Sequence, residues 1–217
     1  RRLADPQQRE ALSREWNASK AANLARIRLS FVAAPEFAWA EGLALPVAAE
    51  RAASSIADFV SDLLLAAQLR VGCVFRQPPT NTDADVRALL RHEAQVAGSD
   101  GIFLGSTPHP RGWGTFARFL GVHTRALRDW SWGEAGVHLA GHPARRFGLA
   151  GRGHLRVGAA ADIVVVDPAT VIDVATYDDP RRPATGVDRV YVNGTLAYAD
   201  GAVVSRDCGR GLRANAR

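Results

Sequence analysis

Along residues 1–150, segments whose apolar residues have the spacing of a β-strand alternate with segments that have the spacing of a helix. Segment 26–32 alternates polar and apolar residues with a period of two, which is typical of a β-strand. Apolar residues at helical spacing follow over 46–67, where a break near Ser54 predicts two helices, and a short apolar strand is expected over 71–75. This alternation predicts a parallel α/β layer architecture.

The other elements of this part are marked by helix-capping residues. Further helices are predicted over 5–16, 83–91, 115–127 and 131–146, and a further strand over 96–99. Thr82 and Ser131 stand at the start of two of these helices, and both are residue types that cap helix N-termini. Glu134, three residues after Ser131, completes a capping-box pattern. Asp100 directly follows the predicted strand over 96–99, so a carboxylate is expected at a strand end.

The pattern changes after residue 150, where short β-branched runs replace the helices. Strands are expected over 163–166, 187–192 and 195–198. Asn193-Gly194 between the last two predicts a β-hairpin, because both residues tolerate the positive φ angles of a tight turn. The sequence therefore divides into an α/β part over 1–150, a β part over 151–204 and an exposed tail over 205–217.

The composition argues against a nucleic-acid-binding protein and against a membrane-spanning one. The 217 residues carry a net charge of +5, and 47% of them are hydrophobic. The arginines are scattered with no aromatic-interleaved basic stripe, which argues against nucleic acid as a partner. No apolar run is long enough for a membrane span, and from the residues given we expect no signal peptide. Cys73 and Cys208 are far apart, so a cytoplasmic location is expected. The absence of Met suggests a fragment or a processed product.

Two segments, 98–121 (GSDGIFLGSTPHPRGWGTFARFLG) and 151–194 (GRGHLRVGAAADIVVVDP…VDRVYVNG), carry a family resemblance. They resemble the C-terminal portion of the amidohydrolase superfamily, specifically the N-acyl-D-amino-acid deacylase (D-aminoacylase) group. The resemblance implies that 1–150 supplies the last strands and helices of a (β/α)8 TIM-like barrel. It also implies that 151–204 supplies the C-terminal half of a small β-sandwich.

The same resemblance implies a zinc cofactor whose histidine ligands lie outside this chain. The family's early strands carry a His-x-His pair, and this sequence contains none. We therefore expect a fragment that is inactive by itself. His138 and His142 stand four residues apart, as zinc-binding histidines do on a helix, but no Glu lies between them and Pro143 follows, which argues against a site there.

Asp100 is the candidate catalytic residue. It matches the family aspartate that takes a proton from zinc-bound water and passes it to the leaving nitrogen, and it is also a candidate metal contact. From the residues alone, Ser-Asp-Gly is more typical of an ordinary turn, and the family match is what favours the catalytic role. His109 and Arg111 are candidate substrate-binding residues; the alternatives are a loop histidine bonded to backbone and an arginine paired with a neighbouring acid. Ser99 is expected to support the turn at Asp100.

The resemblance implies hydrolysis of a linear amide, with a small N-acyl-D-amino acid as the substrate and a carboxylate and a D-amino acid as products. Two alternatives stay open. One is a cyclic-amide hydrolase of the dihydroorotase or hydantoinase kind, and the other is a non-catalytic module that keeps the amidohydrolase framework. Small molecules are the expected partners, with neither nucleic acid nor membrane, and an oligomer is compatible with the sequence.

Overall fold

The computed structural model describes residues 2–19, 21–76 and 80–213. These residues form two compact units, which interleave along the chain. Unit 1 comprises Arg1–Thr80, Gly101–His109 and Tyr177–Arg181, and unit 2 comprises Asn81–Asp100, Pro110–Thr176 and Arg182–Arg217. The boundary predicted at residue 150 falls inside unit 2.

Unit 1 is built on a two-stranded sheet with helices around it. Its elements are α1 (Pro6–Ser19), α2 (Ala21–Leu24), β1 (Ile27–Val32), α3 (Leu45–Arg51), α4 (Ile56–Ala66) and β2 (Val71–Phe75). Strands β1 and β2 pair antiparallel, with Ile27 opposite Phe75 and Val32 opposite Val71. The parallel arrangement predicted for these strands is wrong. Element alternation predicts strand positions but not direction, and here two helices bring the chain back beside its own strand.

The core of unit 1 lies where α4 covers the sheet. Phe59 and Leu63 of α4 are fully buried, and Leu29 of β1 is buried beside them. Burying side chains of this size stabilises a fold by about 1.5–3 kcal/mol each. The predicted break between the two helices is confirmed, because Ser55 caps α4 by accepting a hydrogen bond from the amide of Asp58 at 3.1 Å.

Unit 2 contains the remaining helices and a second sheet. Its helices are α5 (Asp83–Leu90), α6 (Arg111–Arg118), α7 (Trp132–Gly136) and α8 (His142–Arg146), with π-helical stretches at Phe119–Ala126 and Val137–Gly141. Both predicted caps are confirmed. Thr82 and Ser131 each form a complete capping box, the latter with Glu134. These caps satisfy amide groups that would otherwise lack partners at the helix starts.

The helix that begins with α6 widens into a π-helix after Arg118. Thr124 donates its hydroxyl hydrogen bond to the carbonyl of Phe119, five residues back, at 3.0 Å. Gly121 lies so close to the backbone of Val171 that a β-carbon would not fit there. The wider turn and the missing side chain therefore let this helix approach the backbone at Val171.

The second sheet is antiparallel throughout, in the order β3 (Ile163–Val166), β4 (Val187–Val192), β5 (Thr195–Ala199) and β6 (Ala202–Val203). The hairpin predicted at Asn193-Gly194 is confirmed, since both residues have positive φ, +50° and +81°. Such angles match the twist of the flanking strands.

The strand predicted over 96–99 is wrong. None of these residues is in a strand, and in this run Ala97 donates its amide to the carbonyl of His138 at 3.4 Å. A short segment such as 96–99 becomes a strand only where a neighbouring backbone offers hydrogen-bond partners along its length, and the described residues offer none here. Within the same described ranges, no helix has the length and apolarity that a membrane span requires.

Candidate active site

Asp100 and Arg111 form an ion pair in unit 2. The Arg111 Nη2 atom lies 2.7 Å from Oδ2 of Asp100, and its Nε donates to the Asp100 backbone carbonyl at 2.8 Å. One guanidinium thus contacts both the side chain and the main chain of the aspartate. The structure brings these two predicted site residues together, but Asp100 lies within a loop and not at the end of a strand. Ser99, partly buried, directly precedes it.

The backbone at Asp100 is left-handed, with φ of +47°. This region is uncommon for residues other than glycine, and aspartate is among those that tolerate it. The carboxylate side chain is 82% exposed, and that of Arg111 is 37% exposed. The arrangement therefore presents a carboxylate to solvent while a cation fixes its direction.

Arg111 is the first residue of α6, where the helix dipole disfavours a cation. The carboxylate of Asp100 at 2.7 Å offsets this cost. The sequence left two roles open for Arg111, a contact with the substrate and an ion pair with a neighbouring acid. The structure shows the ion pair, with Asp100. That pair does not test contact with a substrate carboxylate.

His109 lies in unit 1, against an aromatic side chain that the sequence analysis did not select. The Tyr177 hydroxyl is 3.1 Å from Nε2 of His109, and the two rings meet edge to face with centroids 5.1 Å apart. These residues are 68 positions apart, so no local spacing indicates the pair. His109 thus holds the Tyr177 ring in place.

Glu41 anchors the loop 101–109 in unit 1, and sequence reasoning also missed it. Its carboxylate accepts amide hydrogen bonds from Val32 at 3.0 Å and from Ser106 at 2.5 Å. Burial opposes its ionisation, but the hydrogen bonds from Ser106 and Val32 outweigh burial and hold the pKa of Glu41 below its usual range. The charged carboxylate thus ties this loop to the end of β1. A lone Glu between apolar residues gives no sequence signal for such a role.

Asp129 is the most heavily bonded carboxylate of unit 2. It accepts from Nε of Arg87 at 2.8 Å and from Nη2 of Arg91 at 2.6 Å, and its other oxygen lies 3.0 Å from Nδ1 of His123. Its side chain is fully buried. These contacts join α5 to the π-helical stretch, so Asp129 has a structural role.

The described residues do not fit a zinc ion by themselves. Within them, no group of three or more His, Cys, Asp or Glu side chains is close enough together to hold a metal. His138 and His142 both direct Nδ1 towards the carbonyl of Gln95, at 3.0 and 3.4 Å. The carboxylate of Asp100 is held by Arg111. Each of these three candidate ligands therefore already has a partner within the chain.

Comparison with known families decides the chain's relationship. The sequence profile of the amidohydrolase family matches residues 23–198, which is most of the chain. This chain belongs to the amidohydrolase family. Among curated amidohydrolases, it is 44% identical over 130 residues to D-aminoacylase of Alcaligenes xylosoxydans xylosoxydans. It is 43% identical over 132 residues to N-acyl-D-glutamate deacylase of the same organism. The family resemblance predicted from the two quoted segments is confirmed.

The fold of this chain also matches solved structures of amidohydrolases. A crystal structure of D-aminoacylase, described as defining a novel subset of amidohydrolases, superposes on 88% of this chain with a TM-score of 0.73 and 33% identity. N-acyl-D-glutamate deacylase from Bordetella bronchiseptica, complexed with zinc and a phosphonate inhibitor, covers 84% with a TM-score of 0.69 and 33% identity. The mixed α/β fold of these enzymes is thus confirmed for this chain.

The chain is much shorter than these relatives. It spans 27% of the length of each of the two curated Alcaligenes deacylases. It spans 38% of the D-aminoacylase structure and 37% of the Bordetella enzyme.

Proposed function

We propose that this chain is the portion of a zinc-dependent N-acyl-D-amino-acid deacylase that supplies the proton-transfer carboxylate, Asp100. The observation that carries the proposal is the clamp of Arg111 on both the carboxylate and the carbonyl of Asp100. The zinc ligands would come from outside the described residues. The extent of the match to D-aminoacylase supports this assignment over the cyclic-amide and non-catalytic alternatives.

In the proposed reaction, the amide C–N bond of the substrate breaks as water adds to the acyl carbon. The carboxylate of Asp100 accepts the proton that the water loses and delivers it to the departing nitrogen. The products are a carboxylate and a D-amino acid, and the proton count balances. Arg111 keeps the carboxylate in position between the two transfers. His109 and Arg111 are also proposed to contact the substrate, Arg111 through its guanidinium.

The proposal places residues 1–150 in the C-terminal part of a (β/α)8 barrel and 151–204 in half of a β-sandwich. The overlap with the D-aminoacylase structure supports this placement. Strands β1 and β2 pair antiparallel, unlike neighbouring strands of a (β/α)8 barrel, so the support for this placement is the overlap with the D-aminoacylase structure and not the strand pairing.

A chimaera tests the proposal. Residues 23–198 replace the matching segment of the Alcaligenes D-aminoacylase, and hydrolysis of N-acyl-D-amino acids is measured beside that of N-acyl-L-amino acids, dihydroorotate and a hydantoin. We expect the D-substrates to be hydrolysed by the chimaera and not by the 217-residue chain alone. A folded chimaera that prefers the cyclic amides, or that hydrolyses none of the substrates, contradicts the proposal.

Variants of the chimaera then test Asp100. Asp100→Asn is expected to lower kcat at least about a hundredfold, since general acid–base catalysis contributes about 10²–10⁴-fold. The melting temperature should change little, because the side chain is 82% exposed. Asp188→Asn, an exposed carboxylate of β4, is the matched control and should retain full turnover. Equal turnover of the two variants would remove Asp100 from the mechanism.

A further inference from the structure

Unit 1 contains a cavity of about 200 Å³ at one end of its two-stranded sheet. Its lining includes three arginines, Arg26, Arg28 and Arg76, together with Tyr177 and Thr107. No Asp or Glu among the described residues belongs to the lining. The cavity therefore concentrates positive charge, and its lining shares no residue with the Asp100–Arg111 pair of unit 2.

The strand register explains why three cations meet there. Arg28 lies in β1, and Arg26 lies in the turn immediately before this strand. Arg76 donates its backbone amide to the carbonyl of Arg26 at 3.1 Å, and Val74 stands opposite Arg28. Residues opposite each other in an antiparallel pair share a face. Arg26, Arg28 and Arg76 therefore lie close together around the buried Val74, and all four residues line the cavity.

Neutralisation of these three charges is incomplete. Arg28 pairs with Asp178 at 3.1 Å, and that carboxylate is 83% exposed. Arg76 lies over the Tyr177 ring, 4.8 Å from its centroid. Within the part of the chain that the structure describes, no carboxylate is in salt-bridge range of Arg26 or Arg76. Like charges opposite each other destabilise a strand pair, so this end of the sheet carries a positive surplus that an anion would relieve.

The wall opposite the arginines is held in place. Tyr177 is bonded through its hydroxyl to His109 at 3.1 Å, and the backbone carbonyl of Tyr177 accepts from Nη1 of Arg28 at 3.0 Å. The ring that stacks on Arg76 is thus tied at both ends. A guanidinium held against an aromatic ring keeps its in-plane donors directed outward, where they match the oxygens of a carboxylate or phosphate.

From this geometry we propose that the cavity is a binding site for a small, doubly charged oxyanion, either a dicarboxylate or a phosphate group. The volume is equivalent to about six or seven water molecules at about 30 Å³ each. Drug-sized ligands occupy pockets of about 300–1,000 Å³, so the ligand is smaller than a nucleotide. The proposal does not depend on the reaction assigned to Asp100.

Calorimetric titration of the 217-residue chain with inorganic phosphate, succinate and acetate tests the site. We expect saturable binding of one dianion per chain, at least about tenfold tighter than acetate, and weaker at high salt because the contacts are ionic. Comparison of phosphate with succinate identifies which oxyanion is preferred. If neither dianion saturates, or if acetate binds as tightly, the proposal is wrong.

Variants locate the binding. Arg26→Gln and Arg76→Gln should each weaken the preferred dianion about tenfold or more, which is the loss expected for one charge-assisted hydrogen bond. Arg70→Gln removes the same charge at the opposite end of β2 and should leave the affinity unchanged. Equal weakening by Arg70→Gln would show a general charge effect and overturn the site. Arg76→Lys keeps the charge and serves if the Gln variant fails to fold; it should also weaken binding, because a point charge cannot replace the planar fork.

Discussion

The buried carboxylate of Asp129 gives the sharpest stability prediction. Replacement by Asn keeps the size of the side chain but removes the charge that Arg87, Arg91 and His123 share. Breaking a buried ion pair from one side costs about 3–5 kcal/mol. The side chains of Arg87 and Arg91 are 33% and 50% exposed and can turn towards water once the charge is gone. The free-energy cost of leaving them unpaired is therefore smaller than for fully buried arginines. We therefore expect a loss of about 3 kcal/mol at neutral pH, the low end of that range.

The pH dependence supplies a second readout. Burial opposes ionisation of Asp129, but the hydrogen bonds from His123 and the two arginines outweigh burial, so the pKa lies below its usual range. A depressed folded-state pKa stabilises the fold above the unfolded value of about 3.9, and this stability is lost as the pH falls through the folded value. The difference between wild type and Asp129→Asn should accordingly be full at neutral pH and shrink below about pH 4.

Urea unfolding followed by far-ultraviolet circular dichroism and tryptophan fluorescence measures both effects. Trp130 is a useful reporter because it is buried next to Asp129 and donates its indole N–H to the carbonyl of Leu90 at 2.9 Å. Asp188→Asn, exposed on β4, is the control for loss of one carboxylate. The reasoning is refuted if both variants lose the same free energy of unfolding, or if the loss at Asp129 is as large at pH 3 as at pH 7.

Three further predictions concern local geometry. Gly105→Ala should unfold or strongly destabilise unit 1, because φ is +78° and a β-carbon would overlap the backbone of Ser30; Gly98→Ala, with open space around it, should change the melting temperature little. Ser131→Ala should cost about 1 kcal/mol in urea unfolding through loss of the capping box, and a cost near zero would contradict the cap. Glu41→Gln should speed hydrogen exchange at the Ser106 amide, which donates to Glu41 at 2.5 Å, and unchanged exchange would exclude that anchor.

The features predictable from sequence are those that depend on neighbours within a few residues. The caps at Thr82 and Ser131 require an acceptor and an amide three positions apart, and both formed as predicted. The Asn193-Gly194 hairpin depends on two φ angles that those residue types permit. The family relationship was also predictable, because the two segments that resemble the family are continuous stretches of sequence.

Only the tertiary structure decided which distant segments meet. The run 96–99 has an apolar pattern but, among the described residues, no neighbouring backbone to pair with, so it is not a strand. The direction of pairing between β1 and β2 follows from how the intervening helices return the chain. The contact of His109 with Tyr177 joins residues 68 positions apart. Such contacts depend on the packing of whole elements, and the free energy that selects them comes from burial and pairing that no short segment provides by itself.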